Sequence, residues 1–237
     1  QRAYSHIIHD VAIEGLPVTL CIDRAGLVGE DGPTHHGVFD LAYLRTIPGM
    51  TIAAPRNGDE LRRLMYTSLT LEGPIAIRYP RGRAKATPSG TTDPVAIGRG
   101  ERLKDGNDLA VLTIGTVADD AAEAIRRAEE GTGLSIAHYD MRFVKPIDSE
   151  ILEEVASKNC PIITIEDGIA DGGMGSAVLE WLADHINTGD SHGKAMPRVI
   201  RMGVPDRFIP QGTPAQLHKL CGYDTEGIYT TIKSVIK

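Results

Sequence analysis

Short apolar runs alternate along this chain with stretches of helical period, and that alternation limits the fold more than any other feature. Residues 16–22, 50–54, 74–78, 109–114, 134–139, 161–165 and 198–202 read as strands, rich in Val, Ile, Leu and Ala. Continuous apolar runs bounded by turn residues suit strands covered on both faces. Strand, helix, strand at this cadence makes βαβ units, hence a largely parallel sheet with right-handed crossovers. The expected fold class is α/β.

Helix signals fill the gaps. Ala3, Ile7 and Val11, and likewise Tyr4, Ile8 and Ala12, keep a four-residue spacing, so the first helix has two apolar stripes. No capping residue precedes it, which reads as a piece of a longer polypeptide. Residues 40–45 form a short helix. Asn57-Gly58-Asp59-Glu60 opens another, with acidic residues in the first turn and Leu61, Leu64, Met65 and Leu69 as its buried stripe. Residues 83–94, with Pro88, Ser89, Gly90, Thr91 and Thr92, lack apolar period and read as a linker. The chain thus divides into 1–82, a linker 83–94, and a second domain 95–237. In that domain, residues 95–103 read as an edge strand. Thr116–Asp119 has capping-box spacing ahead of a helix that buries Ala118, Ala121, Ala122, Ile125 and Ala128. Asp148 caps a helix with Ile151, Leu152 and Val155 inward. Thr213-Pro214-Ala215-Gln216 is a capping box with proline at the first helical position.

The chemistry concentrates after the first strand. Gly26, Gly29, Gly32, Pro33 and Gly37 fall within twelve residues, which makes a long irregular loop, and it carries Arg24, Glu30, Asp31, His35 and His36. Loops longer than about 12 residues are usually functional or disordered, and ligands of open α/β sheets bind beyond the carboxyl ends of the strands. Asp31 and His35 can converge on one ligand, since an imidazole exchanges protons near neutrality; alternatively Asp31-Gly32 is a turn and His35 a helix-entry hydrogen bond. A metal site of Asp31, His35 and His36 is disfavoured, because adjacent residues rarely point at one ion, and no metal is expected. Arg24 and Arg81 both follow strand ends and can fix a phosphate or carboxylate, or can be surface ion pairs of little consequence. Arg78, inside a strand, reads as a structural ion-pair partner. Gly172–Gly175 either cradles an anion at a helix start or lets strand and helix pack closely; it lacks the Walker lysine and the full GxGxxG spacing. Glu166-Asp167 reads as a strand-end turn.

Net charge is −7, from 25 Lys+Arg against 32 Asp+Glu, which argues against nucleic acid as a partner. No apolar run approaches the roughly 18 residues of a membrane span, and no signal peptide is visible, so a membrane is not an expected partner and secretion is not expected. Cys21, Cys160 and Cys221 have no paired spacing and read as reduced, buried thiols of a cytosol-like compartment.

The wording of the loop and of later segments resembles a known family. DRAGLVGEDGPTHHGVFDLAYLRTIPGM from Asp23, IRYPRG from Ile77, DMRFVKPID from Asp140, GGMGSAVLEWL from Gly172 and FIPQGT from Phe208 are similar, in order and over nearly the whole chain, to the 1-deoxy-D-xylulose 5-phosphate synthases, thiamine-diphosphate enzymes of the transketolase superfamily. The resemblance implies a parallel-sheet sandwich made of the later part of a transketolase-type pyrimidine-binding domain and a complete transketolase C-terminal domain. It implies condensation of pyruvate with D-glyceraldehyde 3-phosphate, with loss of carbon dioxide, in isoprenoid precursor synthesis. By position, Arg24 and Arg81 resemble phosphate-binding arginines. Asp31 resembles the residue that meets the acceptor hydroxyls, His35 an active-site histidine near the cofactor and pyruvate adduct, and Arg2 an active-site-side arginine. The cofactor-activating glutamate and the magnesium and diphosphate ligands of the family lie upstream of Gln1, so this chain alone is expected to be inactive and to need the N-terminal portion. A homodimer, in a bacterial cytoplasm or a plastid, is the expected setting. Alternatives are the β-type subunit of a 2-oxo acid dehydrogenase, half of a split transketolase, or a non-catalytic anion-binding fragment.

Overall fold

The computed structural model describes residues 2–84, 90–186 and 196–235. Two twisted, mainly parallel sheets carry the structure. In the first, β1 (Thr19–Ile22), β3 (Ile75–Arg78) and β2 (Thr51–Ala53) run parallel, in that spatial order, with Thr19 and Thr51 both opposite Ile75. The second has the order β4 (Glu101–Lys104), β6 (Ile136–Asp140), β5 (Leu109–Ile114), β8 (Ile162–Ile169) and β9 (Val199–Val204), with only β4 antiparallel.

The first sheet has a fourth member that its own segment does not supply. Strand β7 (Phe143–Lys145) comes from between β6 and α5 (Ser149–Lys158) and pairs antiparallel with β2, Ala53 opposite Phe143. Lys145 Nζ then donates to the carbonyls of Arg45 and Ile47, at 3.0 and 2.6 Å. One cluster of buried side chains also joins both sheets: Leu41, Leu44, Met50 and Ile52 pack with Leu112, Ile114, Tyr139 and Trp181.

Helix ends follow the local signals closely. Asn57 Oδ1 accepts from Glu60 N–H at 2.9 Å and starts α3 (Gly58–Ser68). Asp148 accepts from Glu150 and Ile151 N–H and starts α5. The Thr213–Gln216 capping box is complete, with Pro214 first in α7 (Pro214–Cys221). The Thr116–Asp119 box does not form: Gly115–Val117 is a 3-10 turn, and α4 (Ala118–Thr132) starts after Val117 with no side-chain cap. The N-terminal helix is α1 (Tyr4–His6), continued as a π-helical turn over Ile7–Ala12.

Several inward assignments are corrected. Strand β1 lies at a sheet edge and is only half-buried, and its Cys21 is exposed; of the three thiols only Cys160 is buried. In α3, Leu64 is buried, but Met65 is exposed, and Leu69, the C-cap residue just past the helix's last turn, is 79% exposed. In α4 the inward residue is Ala124, and Ala122 faces solvent. Residues 85–89 of the linker, including Pro88 and Ser89, lie outside the described residues. Val95 does not begin a strand; it is buried on α3, with its N–H and carbonyl both bonded to the Thr67 hydroxyl.

Candidate active site

The site grows from the carboxyl ends of β1 and β3. Tyr79 N–H donates to the Ile22 carbonyl and Ala25 N–H to the Tyr79 carbonyl, both at 3.0 Å, so the chains leaving the two strands run side by side. This brings Arg24 and Arg81 to one place. The loop that follows is pinched shut at its base: Gly26 and Gly37 exchange backbone hydrogen bonds at 2.9 and 3.0 Å. A Cβ on Gly37 would lie 2.1 Å from the Arg24 carbonyl oxygen, so the pinch requires glycine.

At the loop's apex a 3-10 turn, Gly29–Asp31, presents the acid. Arg24 Nη1 donates to Asp31 Oδ2 at 2.9 Å, and Arg81 Nη1 stands 3.7 Å from the same oxygen. The apex rests on the second segment: Gly212 N–H donates to the Gly29 carbonyl at 3.3 Å. His36 is buried and structural; its Nδ1 accepts from Val28 N–H at 3.2 Å, and its Nε2 lies 3.4 Å from the Pro210 carbonyl.

Between this loop and the second segment lies a cleft of about 400 Å³, lined by Gly26, Glu30, Asp31 and Arg81 on one side and by Thr116, Asp167, Thr213 and His218 on the other. Burial pushes the His218 imidazole below its ordinary value, although the Asp167, Asp120 and Asp224 carboxylates act against that. It therefore faces the cleft mostly neutral at pH 7. Arg24, Asp31 and Arg81 are thus gathered at one mouth. His35 is exposed, its Nδ1 2.9 Å from the Thr34 hydroxyl, and Arg2 is exposed ahead of α1; neither lines the cleft.

Two acids that sequence reading took for a turn are buried instead. Strand β8 continues through Glu166 and Asp167. Glu166 accepts from Met174 and Gly175 N–H, at 3.0 and 2.9 Å, at the start of α6 (Met174–Ile186). A Cβ on Gly173 would lie 2.0 Å from Glu166 Oε2. The glycine run is therefore there for close packing, and its free N–H groups are used by an internal carboxylate. Asp167 lines the cleft and pairs with the fully buried Arg78, which confirms the structural reading of that arginine. The signal that could have found Asp167 was its place at the carboxyl end of a parallel strand.

Among the described residues, no three His, Cys, Asp or Glu side chains are gathered to hold a metal ion, and no helix is long and apolar enough to cross a membrane.

Comparison with known proteins gives these features a context. The profile of the transketolase pyrimidine-binding domain matches residues 1–86, and that of the transketolase C-terminal domain matches residues 98–228. The chain is 57% identical to a 1-deoxy-D-xylulose-5-phosphate synthase of Bacteroides fragilis, over 98% of this chain and 35% of that protein. It is 56% identical to the synthase of Bacteroides thetaiotaomicron, over 96% and 34%. It spans about a third of the length of these curated relatives. Among solved structures, one described as a split gene transketolase, inactive beta4 tetramer, superposes with a TM-score of 0.85 at 28% identity, covering 99% of this chain and 72% of that one. Transketolase from Campylobacter jejuni shares the fold, with a TM-score of 0.69 at 18% identity over 91% of this chain and 31% of its own.

Proposed function

This chain belongs to the transketolase family, of which it carries the pyrimidine-binding and C-terminal domains, and on that premise we propose that it is the C-terminal portion of a 1-deoxy-D-xylulose-5-phosphate synthase. The reaction would join pyruvate to D-glyceraldehyde 3-phosphate with release of carbon dioxide. Identity of 57% to a synthase of that name supports the assignment. The observation that carries it is the meeting of two guanidiniums at one carboxylate oxygen: Arg24 at 2.9 Å and Arg81 at 3.7 Å from Asp31 Oδ2.

In this reading Arg24 and Arg81 take the acceptor's phosphate through charge-assisted hydrogen bonds. Asp31, already at their side, accepts from the acceptor's hydroxyls and sets the aldehyde carbon's orientation, which is where much of a carboligase's rate can come from. By the resemblance, His35 is assigned as the active-site histidine near the cofactor and pyruvate adduct and Arg2 as an active-site-side arginine, although neither lines the cleft. Homologues of this family imply thiamine diphosphate as the cofactor that supplies the carbanion chemistry. Among the described residues no three His, Cys, Asp or Glu side chains are gathered for a metal ion; the family resemblance is the ground for assigning magnesium and diphosphate to residues upstream of Gln1, and no step here is routed through them. A homodimer in the cytoplasm is the proposed setting.

The reading is tested by the product. The competent protein, supplied with pyruvate and D-glyceraldehyde 3-phosphate, should form the deoxypentulose phosphate. Acyl transfer to lipoyl protein, or ketol transfer between sugar phosphates, would instead mark a 2-oxo acid dehydrogenase subunit or a split transketolase, the latter suggested by the TM-score of 0.85. The 237-residue chain on its own should neither turn over nor take up thiamine diphosphate with micromolar affinity in a calorimetric titration.

A further inference from the structure

At the root of the functional loop one buried guanidinium joins three parts of the chain. Arg78, the last residue of β3, is 1% exposed, and Asp167, on β8 of the other sheet, is 4% exposed. Arg78 Nη1 donates to Asp167 Oδ1. Its Nη2 donates to the Gly37 carbonyl at 2.6 Å and to the Asp167 carbonyl at 3.4 Å, and its Nε faces Asp40 Oδ2 at 3.7 Å. Gly37 is the residue that closes the loop on Gly26. Asp167 also abuts that closure directly: a Cβ on Gly26 would stand 3.0 Å from Asp167 Oδ2.

We infer that Arg78 and Asp167 are positioning residues, through which the second sheet fixes the loop that presents Arg24 and Asp31; the inference rests on the function proposed for that loop. The guanidinium fork is rigid and planar, so anchoring one side on Asp167 sets where the other side meets the Gly37 carbonyl. Removal of the Asp167 charge leaves the buried guanidinium with the more distant Asp40, 3.7 Å from its Nε, as its remaining ion pair, and the Gly37 hydrogen bond is then free to shift. Ala25, one residue past Arg24, donates a backbone hydrogen bond to Tyr79, one residue past Arg78, so a displacement at Arg78 reaches Arg24 through one peptide link on each chain segment and a single hydrogen bond between them. Arg78 has no access to the cleft and acts only through these partners, whereas Asp167 also lines the cleft. That difference separates positioning from direct contact with a ligand.

The test uses R78K, D167N and the double variant R78M/D167N in the catalytically competent protein. The double variant removes both charges together and keeps the measurement possible if a single variant fails to fold. R78K and D167N should each raise KM for D-glyceraldehyde 3-phosphate by roughly 10-fold, the scale of one charge-assisted hydrogen bond, with KM for pyruvate moving less than about 2-fold. Hydrogen exchange of residues 26–37 should quicken by a similar factor in all three variants, while that of β5 and β6 stays unchanged. The inference is overturned if exchange of 26–37 is unaffected, if kcat alone falls with both KM values fixed, or if D167N moves the acceptor KM and R78K does not. R24A in the same assay keeps the two readings apart: an unchanged acceptor KM there refutes the phosphate assignment, while the exchange data still judge the positioning.

Discussion

Arg24 reaches seven residues ahead to Asp31 and holds its carboxylate at 2.9 Å, so the guanidinium assigned to an incoming phosphate already has an anion beside it. Both side chains are more than a third exposed, and pairs of that kind contribute only about 0–1 kcal/mol to stability. In the function proposed here the pair acts in binding rather than in folding. D31N should leave the melting temperature within about 3 °C, since about 1 kcal/mol corresponds to roughly 2–4 °C in a chain of this size. It should also tighten inorganic phosphate binding by about two- to five-fold, the scale of one exposed pair, because a competing anion is gone, while carboligation falls. Calorimetric titration with phosphate checks the first part; weaker binding would mean that Asp31 holds Arg24 in place rather than competing for it.

Loss of either arginine should act on one substrate only. R24A or R81A should raise KM for D-glyceraldehyde 3-phosphate by about 10- to 100-fold, the equivalent of about 1.5–3 kcal/mol for a hydrogen bond to a charged group, and leave that for pyruvate nearly unchanged. Steady-state kinetics with each substrate varied in turn decides the matter. Equal effects on both substrates would refute the assignment.

Two buried groups should give stability opposing pH dependences. Burial pushes the Glu166 carboxyl up from 4.5 to about 7, although the Gly175 and Met174 N–H groups work against it. Its contribution is therefore complete below about pH 4.5 and lost as pH rises through 7. Burial, aided by Arg56, pushes the His138 imidazole down from 6.5 to about 4. That contribution is complete above about pH 6.5 and lost as pH falls through 4. Each is on the order of 3 kcal/mol, so between pH 4.5 and 6.5 they largely cancel. Relative to the parent, E166Q should gain stability as pH rises from 4.5 to 7, and H138Q should lose it from pH 4 to 6.5. Thermal denaturation across that range shows the two trends directly, and parallel curves for parent and variants would count against both.

The glycine pinch makes a steric prediction. In G37A the new methyl would meet the Arg24 carbonyl at 2.1 Å, and overpacking of that kind costs about 1–3 kcal/mol. Activity should fall further than stability, because the backbone that gives way carries Arg24. Gly131, in α4 with nothing within 4 Å of an added Cβ, is the control: G131A should stabilise by about 0.5–1 kcal/mol. Melting temperatures of the two variants are the measurement.

What the sequence revealed was local in origin. Asn57, Asp148 and the Thr213–Gln216 box act on backbone two or three residues away, so their spacing alone announced the helix starts. The run 109–114 is buried throughout, and its composition said so. The convergence of Arg24 with Arg81 followed from a general rule about strand ends. Less visible features depend on distant partners. Strand β7 has three residues, too few for any periodicity, and exists because β2 offers it an edge. Leu69 carries a core-like spacing but falls at the C-cap, where α3 ends and the chain turns. Glu166 and Asp167 are two acids in a row, and only the approach of α6 and of Arg78 gives them buried hydrogen-bond partners.

Strand β7 has a practical consequence for anyone wishing to cut this molecule in two. Its three residues leave the second sheet's territory, lend themselves to the first, and return. Severing the polypeptide near residue 90 would yield halves that stay clasped until a denaturant pries them loose. Either half made separately would expose hydrogen-bonding groups that the other normally covers, an invitation to self-association.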